Sequence, residues 1–343
     1  MSVESKTINV AIMGAGGNIG YQLLPKVVDG LFLPDSYGEN YKVNLRLMEP
    51  AAFVGKLGGT IMELEDMALP HLGNVEATDD PAKAYDGVNL VFLLGGIPRK
   101  EGMTRADLLE VNAPLFIQQG EALNENAADD VRVVTVSNPA NSIALTVADN
   151  AADIPKERFA AMSRLDHNRA LSLLATHLSV NPGDLERLGI WGNHSPTMVT
   201  DISNVLAPAQ AGGSKKARIL CPGSEWYEEF SSQVANRGTT VIKARGASSA
   251  ASAAWAAADM ARDWLNGSDG RWHSMGLFSH GEYDMPEGII SSYPVTTEPG
   301  GEVEIVPNLE VSQDMRSRLD KTAQELLEER AALIKFGAVS DRY

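Results

Sequence analysis

The stretch Ile8–Leu24, INVAIMGAGGNIGYQLL, begins with a short apolar run rich in β-branched residues and continues into a glycine-rich turn. Its second half has the apolar spacing of an amphipathic helix, so the stretch predicts a strand, a turn and a helix. Gly14, Gly17 and Gly20 form a G-x-x-G-x-x-G pattern, whereas the stricter G-x-G-x-x-G pattern fails at its third glycine. Such a turn lets backbone N–H groups approach a pyrophosphate at a helix N-terminus. We therefore predict dinucleotide binding at these glycines and at Gly16.

A second strand is predicted at Val43–Met48, VNLRLM, and Glu49 follows it directly. An acidic side chain at this position accepts hydrogen bonds from an adenosine ribose and repels a 2′-phosphate, which favours NAD over NADP. The gap from Gly20 exceeds the usual spacing of about 20 residues. The turn-rich insert Gly30–Tyr41 accounts for the excess. A solvated acid at the end of a strand is the alternative interpretation of Glu49.

The segment Asn89–Asn112, NLVFLLGGIPRKEGMTRADLLEVN, predicts a buried strand, a basic loop and a helix from Arg105. Open α/β sheets bind their ligands at loops that leave the C-terminal ends of parallel strands. Arg99 and Arg105 flank Gly102 in this loop, and each guanidinium can bind a carboxylate in bidentate fashion. The loop is therefore predicted to be a mobile flap that binds an anion. An ordinary basic surface loop is the alternative.

Strands and helices alternate along the first half of the chain, which predicts an α/β fold with a Rossmann-type doubly wound parallel sheet. We place this NAD-binding domain at residues 1–161 and an α+β substrate domain at residues 162–343. The other predicted elements are helices at Ala51–Ala68, Glu225–Asn236, Ala247–Leu265 and Gln313–Phe336, and strands at Val75–Thr78, Val131–Ser137, Phe159–Ser163, His273–Phe278 and Gly288–Val295. The alanine-rich helix among them suits close packing, plausible at a subunit interface.

Composition excludes several classes of protein. The 343 residues carry a formal net charge of −16, with a pI of about 4.8, which argues against a nucleic acid or an anionic membrane as partner. Solubility or a saline habitat would each explain the acidity. Cys221 is the only cysteine, so neither an intramolecular disulfide nor a metal site is predicted. No signal-peptide pattern and no membrane-spanning apolar run is present, which predicts a cytoplasmic protein.

Asp166 and His194 are candidates for proton transfer. A carboxylate that holds one imidazole nitrogen fixes the tautomer and leaves the other nitrogen as a general acid or base. Arg169 lies three residues after Asp166 on a predicted helix, so both face the same side. Asn138 ends a predicted strand, where its amide could reach a ligand, although Asn-Pro is also a common turn starter. With the two loop arginines, the set suits hydride transfer to or from a nicotinamide cofactor on a small, doubly charged 2-hydroxy or 2-oxo acid.

Six motifs resemble the malate dehydrogenases, in the branch of the lactate/malate dehydrogenase superfamily that cytosolic and many bacterial enzymes share. They are Gly14–Gly20, Pro98–Arg105, Asn138–Asn141, Arg164–Arg169, Trp191–Ser195 and Arg245–Ser252. The likeness runs from about Ile8 to the closing helix. The matching arginines at positions 99 and 105 argue against a lactate dehydrogenase, which looks different at the first of them.

The resemblance implies a role for each candidate residue. Asp166 and His194 would form the proton-relay dyad, and Arg169 would bind the C1 carboxylate of the substrate. Arg99 would hold the distal carboxylate and Arg105 would polarise the C2 oxygen. The remaining implied contacts are Asn138 with substrate and cofactor, and Gly14 to Gly20, Glu49, Asn112, Gln119 and Val136 with NAD. The implied protein is a homodimer that interconverts malate and oxaloacetate under a closing flap.

Two segments depart from the family pattern, at Pro196–Asp201 and Ala207–Pro222. The first lies beside the predicted catalytic histidine and could alter substrate fit or the dimer contact. A nucleotide-binding paralogue, with activity lost or redirected to another 2-hydroxy acid, is therefore a second class of function. The intact set of one aspartate, one histidine and three arginines favours the enzyme.

Overall fold

The first half of the chain folds as alternating strands and helices. The computed structural model describes residues 6–33, 40–97, 102–208, 213–221 and 223–342. The strands of this half are β1 (Thr7–Met13), β2 (Lys42–Met48), β3 (Leu72–Thr78), β4 (Leu90–Leu93), β5 (Arg132–Thr135) and β6 (Phe159–Ala161). The helices are α1 (Asn18–Val27), α2 (Ala51–Val54), α3 (Leu57–Asp66), α4 (Pro81–Tyr85), α5 (Arg105–Asn126) and α6 (Ala140–Asp149). The six strands pair in parallel in the order β3-β2-β1-β4-β5-β6, which confirms the predicted doubly wound sheet.

The second half extends the same sheet. Its strands are β7 (Gly189–Trp191), β8 (Val199–Asp201), β9 (Leu206–Pro208), β10 (Ser214–Lys216), β11 (His273–Phe278), β12 (Ile290–Thr297) and β13 (Val303–Ile305). Its helices are α7 (Arg164–Leu178), α8 (Ala217–Leu220), α9 (Ser224–Arg245), α10 (Ala251–Asn266) and α11 (Gln313–Lys335). β11 continues antiparallel from β6, and β12 and β13 follow, so nine strands form one sheet.

The junction between the parallel and antiparallel parts depends on a glycine. Gly276 of β11 pairs with Ala161 of β6. A Cβ on Gly276 would lie 2.7 Å from the Cβ of Ala161, so a larger residue would separate the strands. The two predicted domains therefore share a continuous sheet. The residues predicted to bind the cofactor lie in the first half, and the predicted Asp166–His194 pair lies in the second.

Burial explains why the central strands form where they do. All four residues of β4 are buried, as are all four of β5. The continuous apolar run of β4 suits a strand that is covered by helices on both faces. The alanine-rich helix α10 packs against α1 and α7 of its own chain, with Ala257, Ala261 and Trp264 fully buried. Small residues there serve close packing within the chain. Among the described residues, no helix combines the length and the apolar character needed to cross a bilayer.

Several predicted boundaries were wrong. The predicted helix Ala51–Ala68 divides into α2 and α3, because the N–H of Lys56 turns back to the carbonyl of Phe53 at 2.9 Å. Helix α9 runs on to Arg245 and ends at Gly246, whose φ of 71° suits a helix C-terminus. Helix α6 was not predicted, because the Asn-Pro sequence before it indicated only a turn. The segment 207–222 contributes to β9 and contains β10 and α8, and residues 209–212 and 222 lie outside the described residues.

Candidate active site

The glycine-rich turn lies where β1, β2 and β4 end beside one another. Gly14 has a φ of 81°, and a Cβ at this position would lie 2.6 Å from the backbone nitrogen of Gly95. Only glycine therefore lets the turns after β1 and β4 meet. A Cβ on Gly20 would lie 2.5 Å from the carbonyl oxygens of Gly14 and Ala15, so this glycine lets α1 pack closely against the end of β1.

Glu49 lies at the rim of this turn. Its Oε1 accepts a hydrogen bond of 2.8 Å from the N–H of Gly16. Gly16 and Gly17 are exposed and lead into α1, whose first N–H groups have no carbonyl partner within the helix. Such a helix end attracts phosphate through its N–H groups and its dipole. Bare N–H groups beside a strand-end carboxylate fit the pyrophosphate and ribose of NAD.

Three other residues that are predicted to bind NAD are buried. Asn112 is 1% exposed and binds the start of the basic loop, since its Oδ1 accepts from the N–H of Ile97 at 2.8 Å. Gln119 is also 1% exposed, and its Oε1 accepts a hydrogen bond of 2.6 Å from the hydroxyl of Tyr85. Val136 is buried directly after β5. The side chains of Asn112 and Gln119 are thus committed to bonds within the protein, and their contact with NAD stays a prediction.

The structure brings Asp166 and His194 together. Oδ2 of Asp166 lies 2.5 Å from Nδ1 of His194. Asp166 is in the first turn of α7 and its side chain is 1% exposed, whereas His194 follows β7 and its side chain is 22% exposed. Because the carboxylate holds Nδ1, Nε2 is the nitrogen that can exchange a proton with a ligand.

Arg169 shares the carboxylate of Asp166. Its Nη1 donates to Oδ1 of Asp166 at 3.1 Å, and its Nη2 donates to the hydroxyl of Ser249 at 3.3 Å. Gly238 lies beside the guanidinium, where a Cβ would make an ordinary contact of 3.7 Å with Nη2 of Arg169. The guanidinium lines a cavity of about 350 Å³, and the exposed Arg237 lines it too. Sequence reasoning assigned no role to Gly238 or Arg237, and Ser249 was only a member of the quoted motif Arg245–Ser252.

The backbone of His194 is held by a buried amide. The N–H of His194 donates to Oδ1 of Asn141 at 2.9 Å. Nδ2 of Asn141 donates in turn to the carbonyl oxygens of Ile290 at 3.0 Å and Gly192 at 3.3 Å. Asn141 thus fixes the turn that carries the histidine, a role that its place in an Asn-Pro-Ala-Asn motif did not reveal. Asn138, the predicted ligand contact, is exposed after the end of β5.

A capping box places Arg105 at the start of α5. The Thr104 hydroxyl accepts from the N–H of Asp107 at 3.1 Å, and the Asp107 carboxylate accepts from the N–H of Thr104 at 2.8 Å. The hydrogen bonds from Thr104 lower the pKa of Asp107. Nε of Arg105 donates to Oε1 of Glu329 at 2.5 Å, and its Nη2 donates to Oδ1 of Asn193 at 3.3 Å. The predicted partner arginine, at position 99, lies outside the described residues.

The segment Pro196–Asp201, which departs from the family pattern, is tied to the closing helix. The hydroxyl of Thr197 donates to Oε2 of Glu325 at 2.6 Å, and the hydroxyl of Ser195 donates to the same oxygen. Burial raises the pKa of Glu325, but the hydrogen bonds from Ser195, Thr197 and Asn193 together with the charge of Arg105 outweigh burial and hold the pKa below its usual value. This departure therefore leaves the Asp166–His194 pair intact.

Size alone does not identify the site. A larger cavity, of about 430 Å³, is lined by residues that include Asp201, Tyr227 and Arg318. None of its lining residues belongs to the Asp166–His194 pair or to the glycine turn. The smaller cavity beside Arg169 is the better candidate, because the guanidinium in its lining shares the carboxylate of Asp166 with His194.

Nearly the whole chain matches known proteins. Residues 8–161 match the NAD binding domain of the lactate/malate dehydrogenases, and residues 163–336 match their alpha/beta C-terminal domain. A protein of Rubrobacter xylanophilus named malate dehydrogenase is 48% identical over 336 residues, which are 98% of this chain and 99% of that protein.

Solved structures include dehydrogenases of both kinds. The malate dehydrogenase of Naegleria fowleri has a TM-score of 0.90 and 39% identity, and the match covers 97% of this chain and 99% of that one. The lactate dehydrogenase of Trichomonas vaginalis, solved with NADH and oxamate, has a TM-score of 0.90 and 31% identity, with coverage of 96% and 99%. Since both kinds share this fold, the choice of 2-hydroxy acid depends on individual side chains.

Proposed function

From the premise that this chain belongs to the lactate/malate dehydrogenase family, we propose that it catalyses the NAD-dependent interconversion of malate and oxaloacetate. The family is one of oxidoreductases and its first domain binds NAD, so NAD is the cofactor. When bound, NAD would accept the hydride in malate oxidation, and NADH would donate it in oxaloacetate reduction. The observation that carries the proposal is the single carboxylate of Asp166, which contacts both His194 and Arg169.

His194 would move the proton of the reaction. In malate oxidation its Nε2 accepts the proton of the C2 hydroxyl, and in oxaloacetate reduction it returns that proton to the C2 oxygen. Asp166 stabilises the charged imidazolium and keeps the ring oriented through Nδ1. The nearly complete burial of Asp166 strengthens this interaction, because water does not screen it.

The arginines would bind the charged ends of the substrate. Arg169 borders the cavity of about 350 Å³ and shares the carboxylate of Asp166 with His194. Its planar guanidinium suits the C1 carboxylate. Arg105 would polarise the C2 oxygen. We assign the distal carboxylate to Arg99 and a further polar contact to Asn138, both from the family motifs in the sequence. These roles follow from charge complementarity with a dicarboxylate.

The cofactor site that we propose consists of Gly14 to Gly20 and Glu49, together with Asn112, Gln119 and Val136. The contact between Glu49 and the N–H of Gly16 supports the ribose assignment. A homodimer is also proposed, because the family motifs in the sequence imply one. The cytoplasmic location stays a prediction of the sequence.

A parallel assay tests the proposed substrate. NADH oxidation would be measured with oxaloacetate, pyruvate and 2-oxoglutarate at matched concentrations. We expect oxaloacetate to exceed pyruvate in kcat/KM by ~10⁴ or more, because a site built around a polar partner rejects analogues that lack it. The likeness to a lactate dehydrogenase makes pyruvate the informative competitor. Preference for pyruvate would reassign the substrate, and no turnover with any of the three would refute the proposal.

A further inference from the structure

The closing helix α11 contributes a buried carboxylate to the site. The side chain of Glu329 is 7% exposed, although three other acids of the charged helix α11 are exposed. The neighbouring Glu328, by contrast, is exposed. A buried carboxylate is costly unless charged and hydrogen-bonding partners compensate it. The groups that contact Glu329 therefore indicate why its carboxylate is buried.

Three donors from separate parts of the chain converge on Glu329. Its Oε1 accepts from Nε of Arg105 at 2.5 Å and from Nδ2 of Asn193 at 2.8 Å, and its Oε2 accepts from the hydroxyl of Ser142. These donors lie at the start of α5, immediately before His194, and on α6. Glu329 thus joins the flap arginine to the turn that carries the histidine.

The contacts constrain the plane of the Arg105 guanidinium. Nε is held by Glu329 and Nη2 by Oδ1 of Asn193, whereas Nη1 has no partner among the described residues. Two contacts on one planar group fix its orientation. Both N–H groups of Nη1, and the second N–H of Nη2, are therefore left for a ligand.

We propose that Glu329 is a positioning residue for Arg105, holding the guanidinium so that Nη1 faces the C2 oxygen of the substrate. This inference rests on the proposed function, because it takes the role of Arg105 from it. Glu329 itself touches neither substrate nor cofactor. Removing its charge should let the guanidinium rotate away, and a displacement of about 1 Å can cost about 10²-fold in rate.

The test is a double-mutant cycle between the two residues. Glu329→Gln keeps the shape of the side chain and removes its charge. In the wild-type background we expect kcat with oxaloacetate to fall by about 10- to 100-fold, while NADH affinity, measured by fluorescence, stays within about 2-fold. In the Arg105→Gln background the same change should alter kcat by less than about 2-fold, because the group that Glu329 positions is already absent.

The matched control is Glu328→Gln, the same change at the adjacent exposed position, which should leave kcat unchanged. If Glu329→Gln does not fold, Ser142→Ala loosens the carboxylate without removing it and should cause a smaller loss, again only when Arg105 is present. Equal losses in both backgrounds, accompanied by a lower melting temperature, would reduce Glu329 to a structural role and overturn the proposal. A wild-type protein inactive on oxaloacetate would instead refute the proposed function.

Discussion

The Oδ2 atom of Asp166 lies 2.5 Å from Nδ1 of His194, and the other oxygen of the same carboxylate accepts a hydrogen bond from Arg169. One buried anion therefore sets the position of both the proposed acid/base and the proposed carboxylate-binding group. A substrate held by Arg169 would be placed relative to His194 without any mobile element between them. This relationship makes the two residues testable as a unit.

Substitutions in the Asp166–His194 pair should lower turnover and leave cofactor binding unchanged. His194→Asn removes the group that exchanges the proton, so we expect kcat to fall by roughly 10²–10⁴-fold. Asp166→Asn should lower kcat comparably and also raise the KM for oxaloacetate, because Arg169 loses its anionic partner. Steady-state kinetics would measure both constants, and fluorescence titration should show normal NADH binding. His177→Asn, an exposed histidine on the same chain, is the control, and near-normal turnover of His194→Asn would exclude this residue from the mechanism.

Cofactor preference should depend on Glu49. Its carboxylate lies at the rim of the glycine turn and would repel a 2′-phosphate by roughly 1–4 kcal/mol at contact distance, depending on how much water remains. Wild-type protein should therefore have a higher kcat/KM with NADH than with NADPH. Glu49→Gln should lower the ratio of these two kcat/KM values by about 10-fold or more. Glu65→Gln, at an exposed position on α3, should leave the ratio unchanged. Equal wild-type values with the two cofactors would contradict the assignment.

The sequence predicted the parallel half of the fold well because its signals are local. The apolar run at β4 and the glycines after β1 report their own burial and turn geometry. Helix α6 was missed because the Asn-Pro sequence before it indicated only a turn, and because Asn141, Ser142 and Thr146 are buried among its apolar residues. Their polar groups are satisfied by bonds that exist only after folding, such as the bond from Asn141 to the carbonyl of Ile290. A hydrophobic pattern cannot report such partners.

The candidate site shows the same limit of prediction from sequence more clearly. Asp166, His194 and Arg169 were identified from motifs, and their contacts confirm that they lie together. Glu329 could not be found, since it stands among other glutamates of a charged helix and only the tertiary fold buries it. The commitment of Asn112 to the loop at Ile97 was equally hidden, because spacing gives no information on which neighbour an amide will bind.

Acid should destabilise the fold through buried neutral histidines. Burial lowers the pKa of His273 to about 3, with the charge of Arg164 adding to the effect, and burial likewise lowers the pKa of His167 well below its ordinary value. The unfolded chain therefore binds more protons than the folded one between pH 6.5 and pH 3. Stability from His273 is fully present above pH 6.5 and is lost as pH falls, by about 3 kcal/mol at pH 4.

Melting temperature as a function of pH would check this expectation. His273→Gln should flatten the decline between pH 6.5 and pH 4, even if it lowers the melting temperature at neutral pH. His177→Gln, at an exposed position, should keep the wild-type slope. An unchanged slope in the His273 variant would show that acid acts through other groups, such as the Arg164–Asp263 ion pair at 2.7 Å.

Substrate choice should distinguish Arg99 from Arg105, the two arginines of the predicted flap. Oxaloacetate carries a distal carboxylate that pyruvate lacks, so pyruvate would leave the guanidinium of Arg99 without a counter-charge in the closed site. Arg99→Gln should therefore lower kcat/KM for oxaloacetate by about 10²-fold or more and raise it for pyruvate. Arg105→Gln should lower both alike, because its proposed partner is the C2 oxygen that the two substrates share. The comparison needs only NADH oxidation with each substrate, and Lys56→Gln, remote in sequence and exposed, controls for loss of a positive charge. If Arg105→Gln shifts the ratio of the two substrates while Arg99→Gln leaves it unchanged, the two roles are interchanged, and the contact between Arg105 and Glu329 would then position the residue that selects the substrate.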